Sequence, residues 1–330
     1  MKLLKQLAFI CAIAVLMHSV GASASRAREL YLLAGAVQAT DTKDVSYSWQ
    51  LEYRQNLLDH LAAGVSYLNE GHFDGHHRDG YTVQIWTRTE LLGQRLTLAA
   101  AAGPYFFLDT VNGASVGEYS NDHGWKAMLS AAATWHAEKN LLLELRSNWV
   151  KGPSEFDSIS FLAGIGYQFE PPRESLAAKE TLPEQEIRNE ITMFLGQTIV
   201  NSLNSQRSVA VDLEYRRHLL RQIDLTLANL YEGDNRLIRR DGVVTQVWLI
   251  RPLLDDTLSV GAGGGAYFNL GHYHNAFSGS GTNKFLSGII SLTCSYRFSS
   301  YWAVRATWNR IITNYDRDTD VILGGVGYLF

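Results

Sequence analysis

Ionisable residues two apart on an extended chain share a face, and this sequence repeats that spacing as Glu52-x-Arg54, Glu144-x-Arg146 and Glu214-x-Arg216, with Arg305 in a similar setting. Paired ions of this kind either fill an interior and satisfy one another or carry protons and ions along a path. Other stretches hold chemistry-bearing types as well. In "GHFDGHH", His72, His76 and His77 match no standard metal-ligand spacing, and the corresponding stretch 234–240 has no histidine, so no metal site is expected. "GAGGGA" at 261–266 lacks the Gly-Lys-Ser/Thr of a phosphate loop and reads as small residues at a tight position in a sheet. "NYDRDTD" at 314–320 places Asp316, Asp318 and Asp320 together, a pattern of solvated loop charge that could also meet divalent ions.

The elements that must position these groups are strands. Over 46–56, Trp49, Leu51 and Tyr53 share one face while Gln50, Glu52, Arg54 and Asn56 share the other. Val209, Val211, Leu213 and Tyr215 oppose Asp212, Glu214 and Arg216 in the same way, as Leu141, Leu143, Leu145 and Trp149 oppose Glu144, Arg146 and Asn148. In the first half such runs fall at 29–38, 47–56, 61–68, 80–89, 95–108, 125–136, 141–150 and 158–169. Most are close to the 9 to 11 residues that a tilted membrane strand needs. Short connections alternate with long polar ones at 69–79 and 109–124, the asymmetry expected of periplasmic turns and outer loops. All eight tryptophans fall on or beside these runs, but Trp86 and Trp248 share parity with Gln84 and Gln246, which leaves the facing of that strand open.

The chain also repeats. At an offset of 162, Leu51-Glu52-Tyr53-Arg54 meets Leu213-Glu214-Tyr215-Arg216, Glu70-Gly71 meets Glu232-Gly233, and Arg78-Asp79-Gly80 meets Arg240-Asp241-Gly242. Gln84-x-Trp86 meets Gln246-x-Trp248, and Tyr105-Phe106-x-Leu108 meets Tyr267-Phe268-x-Leu270, at the same offset. Matching identities moves the offset to 159 for Arg146 and Trp149 against Arg305 and Trp308, then to 161 for the phrases "GIGYQF" and "GVGYLF". Tyr167 with Phe169, and Tyr328 with Phe330, have the aromatic alternation of a barrel-closing strand.

Lys2, Lys5, the apolar run 7–17 and Ala22-x-Ala24 form a signal peptide cleaved near Ala24, since the run is too short to span a bilayer as a helix. Removing residues 1–24 takes the formal charge from -4 to -6 over 306 residues, which argues against a nucleic-acid partner. Cys294 is then the only cysteine, too few for a disulfide framework or a thiolate metal site, and no cofactor is implied. The expected organisation is a signal peptide (1–24), a first eight-stranded barrel (25–169), a charged periplasmic linker (170–188) and a second eight-stranded barrel (189–330). The fold class is all-β, two tandem transmembrane antiparallel β-barrels, with one 16-stranded barrel as the alternative.

From Leu225 to Phe330, "LYEGDN", "GAGGGAYF", "VRATWNR" and a closing aromatic strand resemble the outer-membrane lipid A 3-O-deacylase family, and the first half resembles it more faintly. The resemblance implies an eight-stranded barrel that hydrolyses an acyl ester of lipid A, using a His-x-Ser pair on the lipid-facing wall of the penultimate strand and a nearby carboxylate. Trp308 and Arg310 stand where that pair would be, with Asp318 and Asp320 near the carboxylate position, and the first half has Trp149 and Lys151. Neither pair offers a nucleophile with a general base. Trp149 with Lys151, and Trp308 with Arg310, instead suit anchoring at the lipid interface or contact with a lipid A phosphate. The favoured expectation is a non-catalytic integral protein of the bacterial outer membrane, in envelope organisation or lipopolysaccharide contact. Its partners would be outer-membrane lipids, lipopolysaccharide and the barrel assembly machinery. The alternatives are a lipid A acyl-ester hydrolase and, if all strands form one barrel, a porin.

Overall fold

The computed structural model describes residues 28–113, 118–137, 140–152, 156–169, 189–202, 204–220, 222–235, 237–253, 257–270 and 285–330. The expected signal peptide and linker lie outside these residues. The first compact unit contains β1 (Arg28–Ala39), β2 (Val45–Leu58), β3 (Leu61–Phe73), β4 (His76–Leu91), β5 (Leu96–Asn112), β6 (Tyr119–His136), β7 (Leu141–Lys151) and β8 (Ser158–Gln168). The second contains β9 (Asn189–Val200), β10 (Arg207–Leu220), β11 (Ile223–Asp234), β12 (Arg239–Leu253), β13 (Leu258–Asn269), β14 (Leu286–Arg297), β15 (Trp302–Ile312) and β16 (Thr319–Leu329).

Each unit is a closed antiparallel barrel of eight strands. The closing ladder of the first runs from Glu29 opposite Gln168 to Ala39 opposite Ser158, and that of the second from Glu190 opposite Leu329 to Val200 opposite Thr319. Strand one therefore closes on strand eight, which overturns the single 16-stranded alternative and the porin reading that depended on it. Closure leaves no unpaired strand edge, the condition a sheet must meet inside a bilayer.

Alternation decides which face goes where, and here it is inverted relative to a water-soluble barrel. Leu145, Phe161, Met193 and Leu195 are 64 to 67% exposed, whereas Gln50, Glu52, Glu144 and Arg216 face the lumen at 0 to 2%. An apolar outer wall around a polar lumen is the pattern of a transmembrane barrel. Trp86 and Trp248, of open facing in the sequence, point inward and are fully buried.

Two expected outer loops are mostly strand. The 69–79 stretch continues β3 to Phe73 and starts β4 at His76, leaving Asp74 and Gly75 as the turn. Likewise β5 runs to Asn112 and β6 starts at Tyr119, giving strands of 17 and 18 residues against 11 for β7 and β8. Polar residues carry the ladder here, so the apolar alternation that marks a membrane strand is missing.

The two barrels share one register scheme. Ladder positions match at 162 for β2 to β5 and at 161 for β1 and β6 to β8. Ala62 faces Trp86 as Asp224 faces Trp248, and Ser130 faces Asn148 as Ser291 faces Asn309. The offset of 159 is thereby corrected. Glu144 lies opposite Thr134 and Gly164, and Arg305 lies opposite Ser295 and Gly325, so β15 matches β7 at 161. Identity matching had aligned the two Arg-x-x-Trp phrases, but the hairpin geometry fixes register independently of them. Trp149 thus corresponds to Arg310, and Trp308 to Ser147.

Candidate functional site: the ion networks of the two lumens

At the end where the chain enters and leaves the first barrel, Arg54 and Arg146 bind the same acids. Arg54 Nε donates to Glu52 at 2.8 Å, and its Nη1 reaches Glu144 at 3.3 Å. Arg146 Nε donates to Glu144 at 2.7 Å, and its Nη1 also binds Glu52. Thr134 donates to Glu144, Tyr31 donates to Glu29, and Arg88 approaches Glu29 at 3.5 Å. Trp86 lies against the Arg54 guanidinium, 4.0 Å from carbon to ring centre, which explains why an indole points into the lumen.

The second barrel solves the same problem with different residues. Arg216 binds Glu214 and Asp224, the latter at 3.2 Å, while Arg305 binds Glu214 at 3.0 Å and Glu190 at 2.6 Å. His218 contacts Asp224 at 2.6 Å, and Trp248 lies over Arg216. By ladder position, Glu144 becomes Arg305, Arg146 becomes Thr307 and Ala62 becomes Asp224. The first change adds two positive charges and the other two remove one each; in addition Arg88, beside Glu29, becomes Ile250, and Asn56 becomes His218 beside Asp224. A buried network tolerates exchange only when the charges still cancel, because a lone ion in a closed lumen has no water to turn to.

A second network lies toward the other end. Arg78 donates to Glu70 from Nε at 2.5 Å and Nη2 at 2.8 Å, to the Phe156 carbonyl at 2.5 Å and to Ser158 at 3.0 Å, and Tyr105 donates to Glu70 at 2.9 Å. In the second barrel Arg240 donates to Glu232 at 2.6 Å, to the Arg317 carbonyl at 2.9 Å and to Thr319 at 2.8 Å. Each arginine therefore ties a β3–β4-type hairpin to the last outer loop. Gly71 and Gly233 adopt φ of +71° and +88° at matching bulges, where a side chain would be strained and would also meet a backbone oxygen. At Gly80 and Gly242 a Cβ would meet the Phe106 or Phe268 carbonyl oxygen at 2.4 or 2.2 Å. Reading the sequence for inward ions missed these clamps, as it missed Glu29, Glu190 and Asp224. The signal was available, since "EG", "RDG" and "YF" are the clusters that hold the repeat offset.

The last loops are pinned alike. Asp157 accepts the Gly152 N–H at 3.0 Å and a Lys126 contact at 3.1 Å, and Asp318 accepts the Thr313 N–H at 2.7 Å. Burial opposes ionisation of Asp157, but the Gly152 N–H and Lys126 prevail and hold its carboxyl below the ordinary range.

The residues expected at the lipid interface part company. Trp149 is 40% exposed on the outer wall, with the Lys151 ammonium 5.4 Å from its ring centre and 3.4 Å from Asp157. Trp308 is half-buried and donates to Asp320 at 2.8 Å, and Arg310 is buried and binds that same carboxylate at 2.8 Å. With its amide oriented to satisfy both neighbours, Asn201 donates to Asp320 and accepts from Arg310. Arg310 is thus engaged within the wall, where Lys151 projects from it. Tyr167 packs on Phe169, and Tyr328 on Phe330 and Trp302, at the ends of β8 and β16.

In the first barrel the histidines of "GHFDGHH" sit around the β3–β4 turn. His72 stacks on His77 at 3.9 Å and binds Tyr47, while His76 binds Asp109 at 3.0 Å. Among the described residues no three His, Cys, Asp or Glu side chains are placed to hold a metal ion.

Fold and lumen together define a transmembrane β-barrel protein built as two eight-stranded barrels. No protein-family model and no curated protein matches the chain. Among solved structures, the N-terminal β-barrel domain of Pseudomonas aeruginosa OprF is 15% identical, with 43% of this chain and 97% of that one covered and a TM-score of 0.35. Neisserial surface protein A is 13% identical over 44% of this chain and all of that one, with a TM-score of 0.35. The Ralstonia pickettii toluene transporter TbuX is 9% identical over 96% and 92%, with a TM-score of 0.25.

Proposed function

We propose that this chain is a non-catalytic integral protein of the bacterial outer membrane that organises the envelope through contact with lipopolysaccharide. The observation that carries the reading is the contrast between interior and wall. Both lumens are spanned by arginine–carboxylate networks whose members are engaged with one another, as packing requires in a barrel of this size. The wall, in contrast, offers Trp149 and Lys151 side by side, with Lys151 61% exposed in its side chain. An indole with a projecting ammonium suits the boundary between acyl chains and phosphate-bearing headgroups. Trp308 and Arg310, at the positions where the deacylase resemblance implies His and Ser, are both engaged by Asp320, which supports a non-hydrolytic reading. The anchoring proposal therefore rests on Trp149 and Lys151, and Trp308 with Arg310 would form a fixed element of the wall.

The test is retention of lipopolysaccharide by full-length protein extracted in mild detergent. Wild type is expected to retain several-fold more than Lys151→Ala or Trp149→Ala. Equal retention by all three would overturn the proposed contact. Loss of an acyl chain from lipid A only in cells carrying the protein, read by mass spectrometry, would overturn the non-catalytic reading.

A further inference from the structure

The middle of each lumen carries a second comparison, between Gln50 and Asp212, which occupy the same ladder position on β2 and β10. In the first barrel Gln50 is fully satisfied. Its Nε2 donates to Ser66 at 2.7 Å, and its Oε1 accepts from Asn148 at 3.0 Å. Asn148 also bonds Ser160 and Ser130, and Ser130 is bonded to Gln84, so a neutral hydrogen-bond belt crosses the lumen.

The second barrel keeps the belt's outline and removes its partners. Gln50 becomes Asp212, Ser66 becomes Ala228, Ser160 becomes Val321, and Asn148 stays as Asn309. Asp212 is 5% exposed and its Oδ1 has no hydrogen-bond partner, and neither has Oδ1 of Asn309, also 5% exposed. The Leu213 backbone N–H donates to the carboxyl, and among the described residues no side-chain donor is bonded to its Oδ1. Thus two acceptors stand unpartnered at positions whose counterparts bond to each other.

Charge deepens the mismatch. On its own strand Asp212 is followed by Glu214, Arg216 and His218; the neighbouring strands β9 and β11 carry Glu190 and Asp224, and β15 carries Arg305. Arg216 and Arg305 are occupied by Glu190, Glu214 and Asp224, His218 is bound to Asp224, and Arg240 of β12 is bound to Glu232 of β11. Lys126 and Arg146 of the first lumen are replaced by Ser287 and Thr307. Tyr31 and Leu142 give way to Thr192 and Ala303, which removes bulk from the same lumen. A buried carboxylate cannot stay both ionised and unaccompanied, because it has given up its hydration with nothing in exchange.

We propose that Asp212 is the anionic half of a binding site in the second lumen that takes one positive charge from solution, a proton or a small monovalent cation. Either occupant supplies what the chain withholds. A proton turns the carboxyl into a donor, and a cation is coordinated by the carboxylate and the orphaned Asn309 oxygen. The first barrel has no such site, because Gln50 is neutral and satisfied.

Infrared difference spectra of full-length protein in micelles, wild type minus Asp212→Asn, test this at neutral pH. They are recorded in sodium chloride and in N-methyl-D-glucamine chloride of equal ionic strength. A protonated-carboxyl band that shifts in heavy water and is absent from the variant identifies the proton. A carboxylate band that moves when sodium is replaced, with a thermal midpoint that falls in wild type only, identifies the cation. Should Asp212→Asn not assemble, Asp212→Gln with Ala228→Ser, which restores the first barrel's pair, serves as the subtraction partner. An ionised carboxylate indifferent to the cation would overturn the proposal, as would a variant whose midpoint drops as far as that of Glu214→Gln.

Discussion

Glu70 holds Arg78 through Nε and Nη2 at 2.5 and 2.8 Å, and the same arginine ties down the carbonyl of Phe156 in the last outer loop. Both side chains are at most 1% exposed, so neither can recruit water if the other is lost. Glu70→Gln is expected to destabilise the protein by ~3–5 kcal/mol, the cost of leaving one buried ion uncompensated. Urea titration in micelles followed by tryptophan fluorescence measures this. A loss under ~1 kcal/mol, the range of an exposed pair, would mean the clamp is solvated.

The exchange of Glu144 for Arg305 makes a sharper prediction. Arg305→Glu alone places a third acid beside Glu190 and Glu214, which Arg305 now neutralises. It should prevent or severely weaken assembly of the second barrel. Adding Thr307→Arg and Asp224→Ala recreates the first barrel's residues at these three positions and should recover much of the lost stability. The measurement is the folded fraction of single, double and triple variants after refolding into micelles. Additive damage across the three changes would show that the lumens do not exchange charge as units.

Strand existence was legible in the sequence wherever one wall meets lipid, because apolar and polar residues then alternate without interruption, as over 46–56. Strand ends were not, since β5 and β6 extend to Asn112 and from Tyr119 on polar residues that a membrane pattern cannot flag. The parity of Glu52, Arg54 and Arg216 could be read directly, but not their partners across the lumen, which depend on barrel closure and tilt. Asp224 escaped notice because it sits one residue into β11, where it reads as turn charge. Its role appears only when Ala62 and Asp224 are seen to share one place opposite Trp86 and Trp248.

Closure of β1 on β8 bears on conduction. Arg54, Glu144, Arg146 and Trp86 pack across one lumen and Arg216, Arg305 and Trp248 across the other, so each barrel is plugged at this layer against a continuous conducting path from end to end. Purified protein in planar bilayers should give no current steps at moderate voltage. Steps of the size of a wide pore would require β1 to pair with β16, contrary to the ladder between Glu29 and Gln168.

The pair formed by His76 and Asp109 lies beside the β3–β4 turn and should respond to pH. The hydrogen bond that His76 Nδ1–H donates to Asp109, opposed in part by burial, raises the imidazole above the ordinary value of 6.5. Arg78 works against that rise and Asp122 with it. A histidine raised in the folded state contributes stability that is fully present below its unfolded value and fades as pH climbs through the folded one. Wild type should therefore exceed Asp109→Asn in thermal midpoint most clearly in mildly acidic buffer, and the gap should narrow as pH rises past neutrality. His76→Gln, which cannot become cationic, should flatten that dependence. A gap of constant size between about pH 5 and pH 8, the range over which histidine ordinarily titrates, would show that the pair is held by packing and not by charge.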